Sequence, residues 1–441
     1  AYLNFDPNVL RVVDEEGNPA TRVIPGTTLS NVTLNRAINA LGRVNFVAQG
    51  DATAGRFTVA IVRFQAITAT ESIPLTWSVT APRQSDVTLG GGSVLDSLRE
   101  GRVVIRPGAR LTGQATMQGR PTPPDPSWQV PLLLSLSRPG ESGPAYLYGT
   151  ASNQGGAFAM PDVVAPGDYR MRLKGLHTLR NLLPTALNVG ANTVDMETLL
   201  EGDAYNDNRV DVRDVSMLAT AYGKSQGQPG FDPRADFNED GAVDQADLAL
   251  LRANLGRRGD ILVGVAAAAG QEPIAFVPAG PDLTGSVSLR LVPSSTDASI
   301  GDVVSIDVMA DAGTQPVDAV ALHLDFDPAV LEVVDAAGAP ATEVEPSMAL
   351  PAVLLNSVDP ARGWVDLMVS SLGGSPASGQ FLVARLRFKV LAAESTWVRF
   401  SFSDWRPTDV TYQGDSVLRN VEAAEIRSAG GYSLYLPVIL K

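Results

Sequence analysis

Apolar residues alternate with polar or small ones along Val303-Val-Ser-Ile-Asp-Val308, Ala321-Leu-His-Leu-Asp-Phe326 and Phe381-Leu-Val-Ala-Arg-Leu-Arg-Phe-Lys-Val390, and a further strand is expected over 287–292. A period of two sends successive side chains to opposite faces, so each run predicts a strand with one buried face. Helical runs are confined to Val215-Ser-Met-Leu-Ala-Thr-Ala-Tyr222, which stops at Gly223, and Leu248-Ala-Leu-Leu-Arg-Ala-Asn-Leu255, which stops at Gly256. Each follows an Asp suited to capping, and each Gly suits the left-handed turn that ends a helix. The pattern predicts a mainly β chain of several sandwiches with one small helical module.

One stretch of the pattern occurs twice. Leu3-Asn-Phe-Asp-Pro-Asn-Val-Leu-Arg-Val-Val-Asp14 returns as Leu324-Asp-Phe-Asp-Pro-Ala-Val-Leu-Glu-Val-Val-Asp335. The same spacing aligns Gly17 with Gly338, Pro19 with Pro340, Asn35 with Asn356 and Gly42 with Gly363; after a small slip, Arg63-Phe64 aligns with Arg387-Phe388. The Asp-Pro steps close a strand and open a turn, because Pro cannot continue a central ladder. A strand ending in Phe-Asp-Pro, followed by Val-Leu and a β-branched pair, resembles the cohesin family. The resemblance covers 286–428 in full and 1–107 in part, and implies a jelly-roll-like sandwich whose flat face binds dockerin.

Between the copies, 108–200 is punctuated by Leu111-Thr-Gly113, Val130-Pro-Leu-Leu-Leu-Ser-Leu136, Gly155-Gly-Ala-Phe158 and Val164-Ala-Pro-Gly-Asp-Tyr-Arg-Met-Arg-Leu173. This resembles the carboxypeptidase-regulatory-like family of small prealbumin-type sandwiches, which implies a rigid spacer. Residues 259–285 read as a linker, or, over 261–281, as an additional strand.

The chemistry is concentrated in 201–258. Asp203-Ala-Tyr-Asn-Asp-Asn-Arg-Val-Asp-Val-Arg-Asp214 and Asp236-Phe-Asn-Glu-Asp-Gly-Ala-Val-Asp-Gln-Ala-Asp247 are twelve-residue loops set 33 residues apart, each running into one of the helical stretches. Calcium takes six to eight oxygens, which a loop of this length supplies from positions 1, 3, 5, 7, 9 and 12. In the second loop these are Asp236, Asn238, Asp240, the Ala242 carbonyl, Asp244 and Asp247, with Gly241 at the sharp turn. The first offers Asp203, Asp207, the Arg209 carbonyl, Asp211 and Asp214, but has Tyr205 at position 3 and Asn208 at position 6. Asn tolerates the left-handed backbone; Tyr205 predicts a weaker or more hydrated site. A lone motif of this kind is usually a solvated Asp-rich turn, but here spacing, turn residue, following helix and duplication agree. The pair resembles a type I-like dockerin, which implies two calcium ions and a cohesin-contacting face around Val212, Arg213, Gln245 and Ala246.

Composition removes most rivals. With no Cys there are no disulfides and no thiolate chemistry, and two histidines, His177 and His323, leave little for a zinc site or a triad. Both read as solitary strand or loop residues. A net charge of −14 argues against a nucleic-acid partner, and no apolar run reaches the roughly 20 residues of a membrane span. No signal peptide opens the chain, which reads as a processed form or an internal protein. The first cohesin-like copy lacks counterparts of 286–321. A fragment, a gap filled by 261–280, or a strand donated by another subunit would each account for that; Tyr432-Ser-Leu-Tyr-Leu-Pro-Val-Ile-Leu-Lys441, within the tail 429–441, is the candidate donor.

The reading is a non-enzymatic, extracellular or cell-surface, calcium-binding scaffold or fibre subunit. Its partners are further copies of itself in a homopolymer, or cohesin- and dockerin-bearing proteins. The alternatives are a cellulosome-like adaptor recruiting dockerin-bearing enzymes and a polysaccharide-active enzyme fragment.

Overall fold

The structure is a computed structural model that describes residues 1–264 and 283–428. The proposed donor segment 432–441 and most of the 261–281 stretch lie outside the described residues. The mainly β reading holds: among the described residues the α-helices are α1 (Val212–Ala221) and α2 (Gln245–Asn254), and short 3-10 turns lie at Asn39–Leu41 and Pro126–Trp128. The chain divides into two compact units. One comprises 1–110 with 162–167 and 187–192, and the other holds the remainder.

In the first unit, Gly101–Ile105, Thr70–Trp77, Tyr2–Asn4, Arg43–Gln49 and Asn31–Ile38 form a sheet in that order. Leu10–Val12 pairs with Phe64–Ala66, and Ile24–Pro25 with Ala60–Ile61. The core is small: Phe5, Leu10, Val12, Val23, Ala37, Val44, Phe46 and Ile73.

The second unit begins with two layers. One is a three-stranded sheet of Ala157–Ala159, Ala109–Met117 and Gly190–Leu199. The other is a five-stranded sheet of Tyr146–Ala151, Pro131–Ser137, Gly167–Lys174, Asn181–Leu187 and Ile261–Leu262. Ile261 thus does add a strand, parallel to Asn181–Leu187. Past the helical module, 286–428 folds as a two-sheet sandwich whose inner faces meet in a single apolar core. Its first strand, Val287–Pro293, runs parallel to Leu418–Glu422, and Asp297–Ala298 runs parallel to Ala424–Ser428.

The duplicated residues do the same work in both copies. Asn35 closes a two-way hydrogen-bonded bridge with the Val23 backbone (2.8 and 2.8 Å), and Asn356 does so with Val344 (2.9 and 2.8 Å). Phe5 meets Phe64 edge-on at 5.1 Å, and Phe326 meets Phe388 at 5.2 Å. Gly42 and Gly363 have φ of +60° and +70°; a Cβ there would lie 1.9 or 2.0 Å from the carbonyl oxygen of Phe5 or Phe326, so only Gly fits. An arginine pins the same corner in each. Arg83 donates to Asn45, Asn4 and the Leu3 carbonyl, while Arg406 donates to Asp366, Asp325 and the Leu324 carbonyl.

One strand departs from expectation. Ala319–Asp325 is buried along almost its whole length rather than on one face. Val320, Leu322 and Leu324 enter the sandwich core, while Ala319 and Ala321, with Met368, enter the core of the helical module. The small residues of the alternation mark a second packed surface, not a wet one.

Candidate metal centre

Both helices begin three residues earlier than the apolar runs suggested. Asp211 and Asp244 are the N-caps, accepting from the amides of Arg213 (2.9 Å) and Ala246 (2.7 Å). Asp214 and Asp247 reach back to the amides of Asp211 (2.7 Å) and Asp244 (2.9 Å), completing a capping box at each start. The twelfth residue of each loop therefore lies inside the first helical turn, where its carboxylate also meets the positive end of the helix dipole.

In the second loop the carboxylates are bound by the loop's own amides. Asp236 accepts from the amides of Asp240 (3.2 Å) and Gly241 (3.0 Å), so its oxygens draw the loop around themselves. Gly241 has φ +88° at the sharp turn. Asp240 accepts from Ala242 (2.9 Å) and from the Asn238 side-chain amide (2.9 Å). Asp247, fully buried, accepts from Phe237 (2.7 Å) and Asn238 (3.2 Å) besides Asp244. Burial, with the charges of Asp247 and Asp240, outweighs these amides and pushes Asp236 up to about 6. Burial also raises Asp247. Among the described residues, no basic side chain makes an ion pair with Asp236, Asp240, Asp244 or Asp247. An all-oxygen, anionic, uncompensated donor set fits calcium.

The first loop keeps the framework. Asp203 accepts from the amides of Asp207 (3.0 Å) and Asn208 (2.9 Å), and Asp214 from Tyr205 (2.9 Å). Asn208 takes φ +71°, as position 6 requires, and its side-chain oxygen accepts from the Arg180 amide (2.9 Å). Asp207, beside the Arg209 amide (3.0 Å), is pushed up to about 6 by burial and by the charges of Asp211 and Asp203. Tyr205 turns away: its ring lies 5.1 Å from the Arg213 guanidinium and its hydroxyl 3.4 Å from Asp415. Asp203 also meets the Lys174 ammonium at 2.5 Å, a contact with no counterpart at Asp236.

Each loop is tied to the far end of the other helix. Val210 pairs by backbone hydrogen bonds with Arg257 (3.0 Å) and Gly256 (2.8 Å), and Val243 with Lys224 and Gly223 (both 2.8 Å). Val210 and Val243 are fully buried in the core between them. The two loops thus close as one unit.

α1 lies on the outer face of the 286–428 sandwich. Buried Asp318 accepts from Ser216 (2.6 Å), Thr220 (3.2 Å) and the Gln413 amide (2.7 Å), while Ser216 accepts from the Gly414 amide (2.7 Å). Gly373 donates to the Ala219 carbonyl (2.9 Å), and Arg252 on α2 to that of Val353 (2.6 Å). Of the four expected partner-facing residues, Val212 is buried and Arg213 approaches Asp409 of this sandwich (4.0 Å). Gln245 and Ala246 are exposed.

The histidines are not solitary. His177 is buried between Glu201 (2.6 Å) and Glu239 (3.5 Å), and Arg120 donates to Glu201 (2.9 Å). Burial pulls His177 down, but the Glu201 carboxylate overrides it and raises the ring to about 9. His323 meets Asp366 at 2.6 Å. Lys174, Arg120 and Asp318 escaped sequence reading because their partners lie in distant segments and no local spacing connects them.

The family model described as Dockerin type I domain matches residues 201–256. None of the curated proteins matches the chain. Among solved structures, a type II cohesin domain from the cellulosome of Acetivibrio cellulolyticus is similar at 21% identity, with a TM-score of 0.29 over 32% of this chain and 95% of that one. A cohesin from Clostridium acetobutylicum has 17% identity and a TM-score of 0.27, over 33% and 93%. A type I cohesin from Pseudobacteroides cellulosolvens has 15% identity and a TM-score of 0.26, over 34% and 97%.

Proposed function

We propose that the chain is a non-catalytic, calcium-binding scaffold or fibre subunit that works outside the cell or at its surface and joins cohesin- or dockerin-bearing partners. The observation that carries this reading is the second loop, within the stretch that matches a dockerin type I domain. Four carboxylates of one twelve-residue loop are held there by its own amides without an ion-paired cation among the described residues. Asp236, Asn238, Asp240, the Ala242 carbonyl, Asp244 and Asp247 would hold the ion. When bound, calcium supplies the positive charge that lets these groups share one centre. The protein's own part is to pre-position them: amides orient Asp236 and Asp240, and the capping box fixes Asp244 and Asp247. Since the start of α1 faces the chain's own sandwich while Gln245 and Ala246 remain exposed, we place the contact with a partner at the start of α2.

Calorimetric titration of the full chain with calcium tests the reading. At a calcium concentration about 1,000 times Kd, binding to the folded state alone would add about 4 kcal/mol. Asp236→Ala with Asp240→Ala should abolish binding at this loop and loosen 236–256 while both sandwiches stay folded. Calcium uptake unchanged in that variant would refute the assignment.

A second reading, a homopolymer built by strand donation, is favoured by one observation. Among the described residues Phe64–Ala66 pairs only with Leu10–Val12, whereas its counterpart Gln380–Val390 is flanked by Leu331–Val333 and by Val303–Asp311. An edge left open in this way is a template for another strand. If 432–441 is the donor, deleting it should abolish polymers and leave calcium binding intact; normal filaments after the deletion would exclude that role.

A further inference from the structure

We infer that Lys174 is the resident cation of the first loop, so that this loop takes no calcium and the module carries a single ion, in the second loop. The inference rests on the calcium reading of the second loop and deepens it.

Asp203 and Asp236 hold the same position and receive the same two backbone amides, those four and five residues further on. They differ in one contact. The Lys174 ammonium sits 2.5 Å from Asp203 Oδ2, and it also donates to the Thr178 carbonyl (2.5 Å). The lysine is not a passing surface side chain. It ends the strand Gly167–Lys174, is 9% exposed, and is fixed by a tight turn in which Gly175 donates to the Thr178 hydroxyl (2.8 Å). The same turn offers the His177 carbonyl to the amides of Gly202 (3.1 Å) and Asp203 (2.9 Å), so Asp203 is held against the lysine from both ends.

A divalent ion on Asp203 would have to sit beside this ammonium, in a buried setting where like charges repel strongly. An ammonium also satisfies with its own N–H groups the oxygens that calcium needs free. Position 3 offers no replacement, because Tyr205 is turned out toward Arg213 and Asp415. With positions 1 and 3 lost, only four of the loop's six ligand positions remain: Asp207, the Arg209 carbonyl, Asp211 and Asp214.

The loop is also closed from outside. The Arg180 amide holds Asn208, Gly259 donates to the Asn208 carbonyl (2.9 Å), and the Val210 amide donates to the Arg257 carbonyl (3.0 Å). In the second loop the Gly241 carbonyl likewise accepts from the Gln226 amide (2.8 Å), but Gly241 has no side chain to be held. One half of the module therefore stays formed without metal, while the other responds to it.

Native mass spectrometry of the full chain, exchanged into calcium-containing buffer, decides the point by counting ions. One calcium per chain is expected. Two would overturn the inference and leave the calcium reading standing; none would overturn the calcium reading itself. Lys174→Met combined with Tyr205→Asn should raise the count from one to two. A count that stays at one shows that other groups exclude the ion and overturns the role given to Lys174. Should that variant fail to fold, hydrogen exchange on the unaltered chain serves instead, with calcium and then with EGTA. Amides of 236–247 should exchange roughly tenfold faster or more in EGTA, and those of 203–214 less than about twofold faster. Equal loss of protection in both loops would overturn the inference.

Discussion

The sandwiches at the two ends of the described chain are built on the same corners and backed by different cores. Asn35 and Asn356 bridge equivalent backbone groups, and Phe5–Phe64 and Phe326–Phe388 cross at nearly the same distance. Behind those corners, eight buried apolar residues cluster in the first copy and thirty-four in the second. The corner arginine also changes its company: two Asn side chains around Arg83 become two Asp side chains around Arg406. A duplicated motif thus preserves turn geometry while core size and corner charge drift. Stability should be correspondingly unequal.

The largest expected contrast lies in the core. Phe388 is fully buried, so Phe388→Ala should cost about 3–5 kcal/mol. Phe64 is only half-buried, and Phe64→Ala should cost less than about half of that. Urea unfolding followed by segment-resolved hydrogen exchange would measure both in the full chain. Equal costs would break the comparison.

The corner arginines come next. Arg406 is almost fully buried and faces carboxylates, so Arg406→Ala strands charge and should cost about 3 kcal/mol. Arg83→Ala leaves neutral amides behind and should cost about 1 kcal/mol. Replacing Asn45 and Asn4 by Asp should narrow the gap; if it does not, the charge is not what separates the corners.

The smallest contrast is in acid. Burial pushes Asp366 up, but the hydrogen bond from His323 and the Arg406 guanidinium hold it below its ordinary value. A carboxyl lowered in the folded state contributes stability above its unfolded value of about 3.9, and that contribution disappears as pH falls through the folded value. Asn45 occupies the equivalent place and cannot titrate. Below pH about 4 the second sandwich should therefore lose protection that the first does not lose at this corner. Asp366→Asn should flatten the difference in a pH series of hydrogen-exchange rates.

The strand alternation, the repeat and the twin loops were all legible along the chain, because each is a local pattern with a fixed period. Helix starts were misplaced by attending to the apolar residues: Asp211 and Asp244 start the helices through side-chain bonds to the backbone, which no hydrophobic run reports. What lay beyond the sequence was pairing at a distance. Lys174 and Asp203 come from a strand end and a loop, Arg406 and Asp366 from separate strands, and Ser216 and Asp318 from different folding layers. Ala321 looked like the wet side of a strand because small residues are ambiguous until the covering surface is known.

The parallel pairing of Val287–Pro293 with Leu418–Glu422, and of Asp297–Ala298 with Ala424–Ser428, has a mechanical consequence. Tension applied on either side of 286–428 pulls the first strand toward its N-terminal end and the last strands toward their C-terminal ends. In a parallel pair those directions are opposed along the strand axis, so the load shears the hydrogen bonds together instead of peeling them one at a time. A sandwich strung in this way resists pulling at its ends more than pulling across its sheets.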